Sequence, residues 1–325
     1  MRYDPSFYAG AAVHYRCGRP PYSPRLEALL AEDLGLDGSG RLLDVGCGPG
    51  VLAVRLAHLF EDAVGLDPDP AMIAEGHQAA QERDIANITW IQARAEELPA
   101  VAPGPYRLVT FGQSFYWTDE VPVAEAVYDM VAPGGAVILV GHHAEGRAVP
   151  PSPGPPRIPH SEIREVVRKY LGSTRRAGQS TAPVQVLSLE DALASSRFGA
   201  PRVIFAPGVP DHVQNIEGVL SNYFSMSFAA PHLFGDRVEE FADEVRELLR
   251  ERSPDGVFWD WPGDTEVMLA RKLPKGWGPA WSPRSAGANL GQKVPSWMVV
   301  GVSGAVARIS AVRFPGPAPG SESPR

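Results

Sequence analysis

Short apolar runs alternate with stretches of helical spacing over the first 140 residues. Arg41–Val45, Ala63–Leu66, Asn87–Gln92, Tyr106–Phe111 and Ala136–Val140 predict five strands. Between them, Val51–Phe60, a segment from Pro70 to about Arg83 capped by Asp69, and Asp119–Val131 predict helices. Upstream, Ser23 and Pro24 predict a helix start, with Leu26, Leu29, Leu30 and Leu34 on one face and Gly35 as the stop. The residues Ala136, Val137, Ile138, Leu139 and Val140 are apolar without alternation, as expected where helices cover both faces of a parallel sheet. The pattern predicts an α/β fold, a doubly wound Rossmann-like and mostly parallel sheet.

The alternation breaks after the fifth strand. Pro150–Pro159 holds six prolines and reads as a loop. Ser161–Leu171 predicts a helix and Arg202–Phe205 a strand. Ile216, Val219, Leu220, Tyr223 and Phe224 share one face of a second helix, and Val238, Phe241, Val245, Leu248 and Leu249 one face of a third. Residues 145–260 are therefore expected to form a mainly helical substrate cap inserted after the fifth strand, with Thr265–Ala270 as a closing strand. Residues 1–22 show no clear period and are expected to form an N-terminal lid. Residues 1–273 then make one domain. From Pro274 onward, Gly and Pro supply 16 of 52 residues, which predicts a largely disordered tail with a short strand at Trp297–Val302.

Composition narrows the partners. The chain has 325 residues and a net charge of −8, and its last 52 residues hold six Lys or Arg against one Glu, so the body is more acidic than the whole. Such a body repels a phosphate backbone, and nucleic acid is not expected as a substrate. Two cysteines, Cys17 and Cys47, make no disulfide framework. No secretory signal opens the chain, and the apolar stretch Trp297–Ala307 is too short to span a bilayer. No membrane and a cytoplasmic location are expected; the oligomeric state is not legible. No His, Asp or Glu cluster has ligand spacing, so no metal is expected.

The strongest local signal is Asp44-Val45-Gly46-Cys47-Gly48-Pro49-Gly50, placed after a strand and opening a helix. Glycines there allow a sharp turn and close approach of a ligand to the backbone. The helix start adds unpaired N–H groups. Asp67, at the end of the second strand, suits the two hydroxyls of a ribose. The glycines at 46, 48 and 50 depart from the dinucleotide spacing. The nearby Asp44 would repel a pyrophosphate but suits a ligand with an ammonium and a sulfonium.

Leu42–Gly50 resembles the first motif of the class I S-adenosylmethionine-dependent methyltransferases, within the type-11 methyltransferase-domain group. Further segments match in order: Val64–Asp67, Ala95–Pro99, Gln113–Trp117 and Val131–Gly135. The resemblance implies S-adenosylmethionine as cofactor and a small molecule as methyl acceptor. It places the backbone of Gly46, Cys47, Gly48 and Gly50 against the methionine and ribose, Asp44 near the amino-acid end, and Asp67, followed by Pro68, at the ribose. It implies that Ala95 offers its N–H to the adenine with Glu96 beside it, and that Gln113 stands where the methyl emerges. Tyr15–Tyr22 resembles the segment that folds over the cofactor, where Arg16 or Arg19 would pair with the methionine carboxylate and Tyr15 would lie alongside. Two positions depart from the family pattern. Arg94 stands where many relatives carry Asp, and Tyr116-Trp117 where many read His-Trp.

An acceptor hydroxyl, enol or ammonium needs a base. Ligands in this fold sit beyond the carboxyl ends of the strands, which makes His142, His143 and Tyr116 the candidates. Tyr223, Phe224, Met226 and Phe228 are candidates for an apolar acceptor pocket or for cap core. Two other readings fit the same strand–loop–helix: an NAD(P)-dependent oxidoreductase, and a non-catalytic or cyclase protein on a methyltransferase fold.

Overall fold

In the computed structural model, residues 6–173 and 187–273 are described in full, and 176–177 and 180–181 as backbone only. The tail expected from Pro274, with its strand at Trp297–Val302, lies outside the described residues.

The chain opens with α1 (Ala12–Gly18) and α2 (Leu26–Leu34), the latter closed by Gly35 in the left-handed conformation. Then follow β1 (Arg41–Val45), α3 (Val51–Leu56), β2 (Asp62–Asp67), α4 (Pro70–Gln81), β3 (Ile88–Gln92), β4 (Tyr106–Gly112), α5 (Glu120–Met130) and β5 (Val131–His143). Asp69 caps α4 by accepting the Ala71 N–H, with Pro70 at the first helical position. Beyond β5 lie α6 (His160–Leu171), β6 (Arg176–Ala177), β7 (Ser180–Thr181), α7 (Leu189–Ala194), β8 (Arg202–Ala206), β9 (Val213–Asn215), α8 (Ile216–Phe224), α9 (Val238–Arg252), β10 (Val257–Trp259) and β11 (Asp264–Arg271).

Seven strands form one sheet in the order β3-β2-β1-β4-β5-β11-β8, and only β11 runs against its neighbours. The doubly wound, mostly parallel sheet expected from the pattern is the one observed. Its two faces carry separate cores. Leu43, Val64, Val109 and Leu139 pack with Val123 and Val127 of α5 and Leu193 of α7. Leu42, Leu108, Ile138 and Val267 pack with Leu26 and Leu30 of α2 and Leu52 and Leu56 of α3. Alternate residues of each strand thus serve opposite faces. The strand order reverses between β1 and β4, which opens a crevice beyond their carboxyl ends.

Several elements differ from the sequence reading. The first turn of α2 starts at Leu26, because Ser23 and Pro24 form a preceding turn in which the Ser23 hydroxyl accepts the Arg25 N–H. The fifth strand is longer than its apolar run. Val131 already pairs with Tyr106, and the Pro133-Gly134-Gly135 segment sits in a register shift between Tyr106 and Leu108. The N-terminal segment contains α1, which is too short to show a period. Its last residue, Gly18, approaches α8 so closely that a Cβ would lie 2.3 Å from the Asn222 nitrogen.

The cap is not one insertion. The chain leaves the sheet for α6, returns with α7 and β8 to cover and extend it, and leaves again for β9, α8, α9 and β10. The two excursions meet in a core of their own, with Ile163 and Val167 from α6, Val219 and Tyr223 from α8, Phe241 and Val245 from α9, and Phe258. Among the described residues, no helix is long and apolar enough to cross a membrane, and no group of three or more His, Cys, Asp or Glu is placed to hold a metal ion.

Candidate functional site

The loop after β1 bends through three left-handed glycines, Gly46, Gly48 and Gly50. At Gly46 a Cβ would come within 2.5 Å of the Ser114 Cβ, so the position admits no side chain. At Gly48 a Cβ would meet nothing within 4 Å. The space there belongs to a narrow cleft of about 130 Å3, lined by Gly46–Pro49, Asp67, Pro68, Met72, Arg94, Ala95, Glu96, Gln113 and Trp117. Phe7, Tyr8 and Tyr15 of the N-terminal segment line it as well.

Asp67 ends β2 beside this cleft and is mostly buried. Its Oδ2 accepts the Gly48 N–H at 2.8 Å and its Oδ1 the Asp69 N–H at 2.9 Å. Burial raises its pKa to about 6, against the opposing pull of those two hydrogen bonds. Each oxygen keeps a lone pair for a further donor.

Asp44 stands elsewhere. It is 1% exposed, and its Oδ2 accepts the Ala53 N–H at 3.0 Å and its Oδ1 the Thr110 hydroxyl at 2.7 Å. It therefore ties the start of α3 to β4 and does not line the cleft. Burial pushes its pKa up to about 7. Cys47 is buried against Gly65, and burial raises its thiol pKa well above the ordinary value.

A broader cavity of about 470 Å3 adjoins the cleft and shares Tyr15, Val51, Gln113 and Ser114 with it. Its other walls include Arg19, Tyr22, Phe111, Tyr116 and His142, with His160, Asn222, Met226 and Asp260 from the cap. At the shared wall, Gln113 holds a left-handed φ of +57°, unusual for a residue with a side chain, while its N–H donates to the Val140 carbonyl at 3.0 Å.

The two adjacent histidines of β5 part company, because successive strand residues face opposite ways. His142 lines the broad cavity and stacks on Tyr22 with ring centroids 5.0 Å apart. It donates to the Pro20 carbonyl, which leaves its buried Nδ1 as an acceptor without a partner. Burial first, and the charge of Arg19 besides, hold its pKa down at about 4. His143 does not line the cavity; it pairs with Glu266 at 3.5 Å and packs on Phe205. Tyr116 lines the broad cavity and Trp117 the narrow one.

The two arginines also separate. Arg16 is exposed and salt-bridged to Glu82. Arg19 points inward, donating to the Tyr15 hydroxyl at 3.1 Å and the Ser225 carbonyl at 3.0 Å. Its Nε is buried without a partner, and among the described residues no carboxylate pairs with it. Trp117 Nε1 is likewise buried without a partner. At the far end of the cleft, Glu96 accepts the Asp119 N–H at 3.1 Å and pairs with Arg94 at 3.1 Å.

The cap contributes residues that no local motif marked. His160 sits between the Tyr223 hydroxyl, 2.9 Å from Nδ1, and Asp260 Oδ2, 3.0 Å from Nε2. Burial pushes the Asp260 pKa up, but the hydrogen bond with His160 outweighs it and keeps it below its usual value. Asn222, on α8, is 6% exposed and its Oδ1 has no partner. These three residues are spread over 100 positions of sequence, and no spacing pattern links them.

The chain is similar to known proteins over this region. A family model described as a methyltransferase domain matches residues 42–135. The ubiquinone biosynthesis O-methyltransferase of Acinetobacter baumannii is 36% identical over 106 residues, which cover 32% of this chain and 44% of that protein. The chain thus spans less than half the length of that relative. The 2-heptyl-1-hydroxyquinolin-4(1H)-one methyltransferase of Mycobacteroides abscessus is 31% identical over 176 residues, covering 51% of this chain and 74% of that protein. A methyltransferase structure from Geobacter sulfurreducens, solved in complex with S-adenosyl-L-homocysteine, aligns with 85% of this chain and 100% of its own, at 15% identity and a TM-score of 0.46.

Proposed function

Because the chain belongs to the class I S-adenosylmethionine-dependent methyltransferase family, we propose that it transfers a methyl group to an oxygen of a small molecule held in the broad cavity. The observation that carries this reading is the pair of adjoining compartments. One is a narrow cleft walled by backbone glycine and a carboxylate, the other a roomier space lined by His142, whose buried Nδ1 has no hydrogen-bond partner.

The residues present fit the cofactor. Gly48 leaves open the space a side chain would fill, the lone pairs of Asp67 suit two ribose hydroxyls, and the unpartnered Trp117 Nε1 offers a donor in the same cleft. Gly46, Cys47, Gly48 and Gly50 shape the wall beside the methionine and ribose, with Pro68, Ala95 and Glu96 toward the adenine. Arg19, a cation with no carboxylate of its own, takes the methionine carboxylate, and Tyr15 holds that guanidinium in place. Asp44 acts through the backbone: it fixes the loop rather than touching the ligand. When bound, S-adenosylmethionine supplies a methyl group already activated by its sulfonium.

The chain's own work is then to hold the acceptor, exclude water and take up a proton. Tyr22, Phe111 and Tyr116 offer aromatic walls to an acceptor ring. Its hydroxyl donates to His142 Nδ1. His142 would take the hydroxyl proton while the cofactor would supply the methyl, its sulfur–methyl bond giving way to the oxygen–carbon bond and leaving a neutral thioether; the resulting imidazolium would lose its proton to solvent on product release. A weak buried base suits an acidic hydroxyl, a phenol or enol, better than an alcohol. One relative is named for O-methylation in ubiquinone biosynthesis and another for a hydroxyquinolinone, which supports an oxygen acceptor. The acidic chain disfavours nucleic acid, and two unpaired cysteines suit the reducing cytoplasm. The test has two parts. Calorimetry must show binding of S-adenosylmethionine and none of NADH, and mass spectrometry of phenolic acceptors must show gain of one methyl. Binding of NADH instead would overturn the assignment.

A further inference from the structure

The cap holds a second pocket, open to solvent, that the reaction above does not use. It measures about 490 Å3 and is lined by His160, Arg164, Val167, Arg168, Leu171, Gly172 and Ser173 on and just after α6, and by Tyr223, Met226 and Phe228 at the end of α8. It opens to the surface at Gly172 and Ser173 and reaches inward to Val167 and Tyr223 of the core that α6 and α8 share.

Two residues stand in its wall and in the wall of the acceptor cavity alike, His160 and Met226. They differ in mobility. His160 is held at both ring nitrogens, by Tyr223 and by Asp260. Met226 is partly exposed, and its unbranched thioether chain moves between rotamers at little cost. The partition is thus a fixed post beside a pliable one. The pocket behind it is more apolar than polar. Val167, Leu171 and Phe228 present hydrocarbon, and the Tyr223 hydroxyl is already engaged by His160, so that its ring remains. Arg164 and Arg168 border the pocket and are exposed; Arg168 pairs with Glu165, and the Arg164 charge acts on the Tyr223 hydroxyl at the pocket wall.

We propose that this chamber receives the apolar tail of an elongated acceptor, which passes between His160 and Met226 while its hydroxylated head lies against His142. The inference rests on the inner cavity being the acceptor site. It assigns specificity to the cap: the head meets aromatic walls and one base, and the tail meets mainly the hydrocarbon of Val167, Leu171 and Phe228.

The test is calorimetry on the full chain saturated with S-adenosylhomocysteine, titrated with para-alkylphenols whose side chains run from methyl to heptyl. Affinity should rise about fourfold per added methylene once the tail enters the chamber. Val167→Phe, which fills the chamber from α6, should flatten that dependence. Ser173→Trp at the exposed rim is a second variant, less prone to disturb folding, with the same expected effect. An affinity independent of tail length in the wild type, or a slope unaltered in both variants, overturns the proposal. Failure of S-adenosylhomocysteine itself to bind would instead defeat the methyltransferase reading, so the two failures are distinguishable.

Discussion

Asp67 permits a quantitative test, because its environment fixes both how tightly it should hold a ribose and how that hold should depend on pH. The carboxyl is mostly buried, accepts two backbone N–H groups and has a pKa of about 6 in the ligand-free protein. A ribose hydroxyl donating to it favours the ionised form, so binding must lower that pKa. Cofactor affinity is then intact above the free value and is lost as pH falls through it. A group of this pKa is about one-tenth protonated at pH 7 and about nine-tenths at pH 5, so affinity should weaken about tenfold over that interval. Asp67→Asn removes the charge and keeps the shape. With hydrogen bonds to a charged group at about 1.5–3 kcal/mol, it should cost roughly 10- to 150-fold in affinity at pH 8. It should also abolish the extra pH dependence. The comparison of the two proteins cancels any titration of the ligand. Calorimetry across pH 5–8 measures both quantities, and quenching of the Trp117 indole beside the cleft gives an independent readout. A wild-type affinity that stays flat with pH, or a variant that keeps the wild-type slope, would refute the ribose role. Merely loosening the loop at Gly48 would weaken binding without moving the profile.

Three further outcomes follow from the same geometry. His142→Phe keeps the stack on Tyr22 but removes Nδ1; kcat should fall by about 10²–10⁴ while cofactor affinity stays within twofold, and equal loss in both would show a packing role only. Arg19→Met should weaken binding of S-adenosylmethionine about tenfold or more but leave binding of adenosine unchanged, and isothermal titration of both ligands decides it. Asp44 has a folded pKa raised to about 7, so its contribution to stability is present below the unfolded value near 4 and is lost as pH rises through 7. Between pH 5 and 8 that loss amounts to about 3 kcal/mol, and urea unfolding should show it in the wild type and not in Asp44→Asn.

The sheet was legible because each of its strands carries its own evidence. Ala136–Val140 is apolar throughout since α5 and α7 cover one face and α2 and α3 the other, and Asp69 with Pro70 marks a helix start by capping chemistry alone. The cofactor cleft was legible for a related reason. Gly46, Gly48 and Asp67 lie at the ends of two adjacent parallel strands, so sequence order and spatial order coincide. Asp44 shows the limit of that reading. Sequence placed it beside the loop, but only packing reveals that it is buried, held between Thr110 and the Ala53 N–H. The pair His142-His143 shows another, because period-two alternation says that one must face away without saying which.

The acceptor side was legible only at His142, Tyr116 and Met226, and the rest was not, for a physical reason that bears on how such enzymes diversify. Its wall joins Pro20 and Tyr22 before β1, His142 at the end of β5, His160 at the start of α6, Asn222 on α8 and Asp260 after β10. Apart from β5 and α6, no two of these elements follow one another in the chain, and the cap reaches the site through two excursions that pack on each other rather than on the sheet. Substitutions in α6 or α8 can therefore reshape the acceptor space while β1, β2 and their glycine loop keep the cofactor cleft intact. The coupling that remains runs through α1. Its Gly18 carbonyl accepts from Gln214, its helix rests on α8, and Tyr15 stands in both compartments. A change that displaces α8 should thus register in cofactor affinity through Tyr15 and Arg19, even where it touches no residue of the cleft.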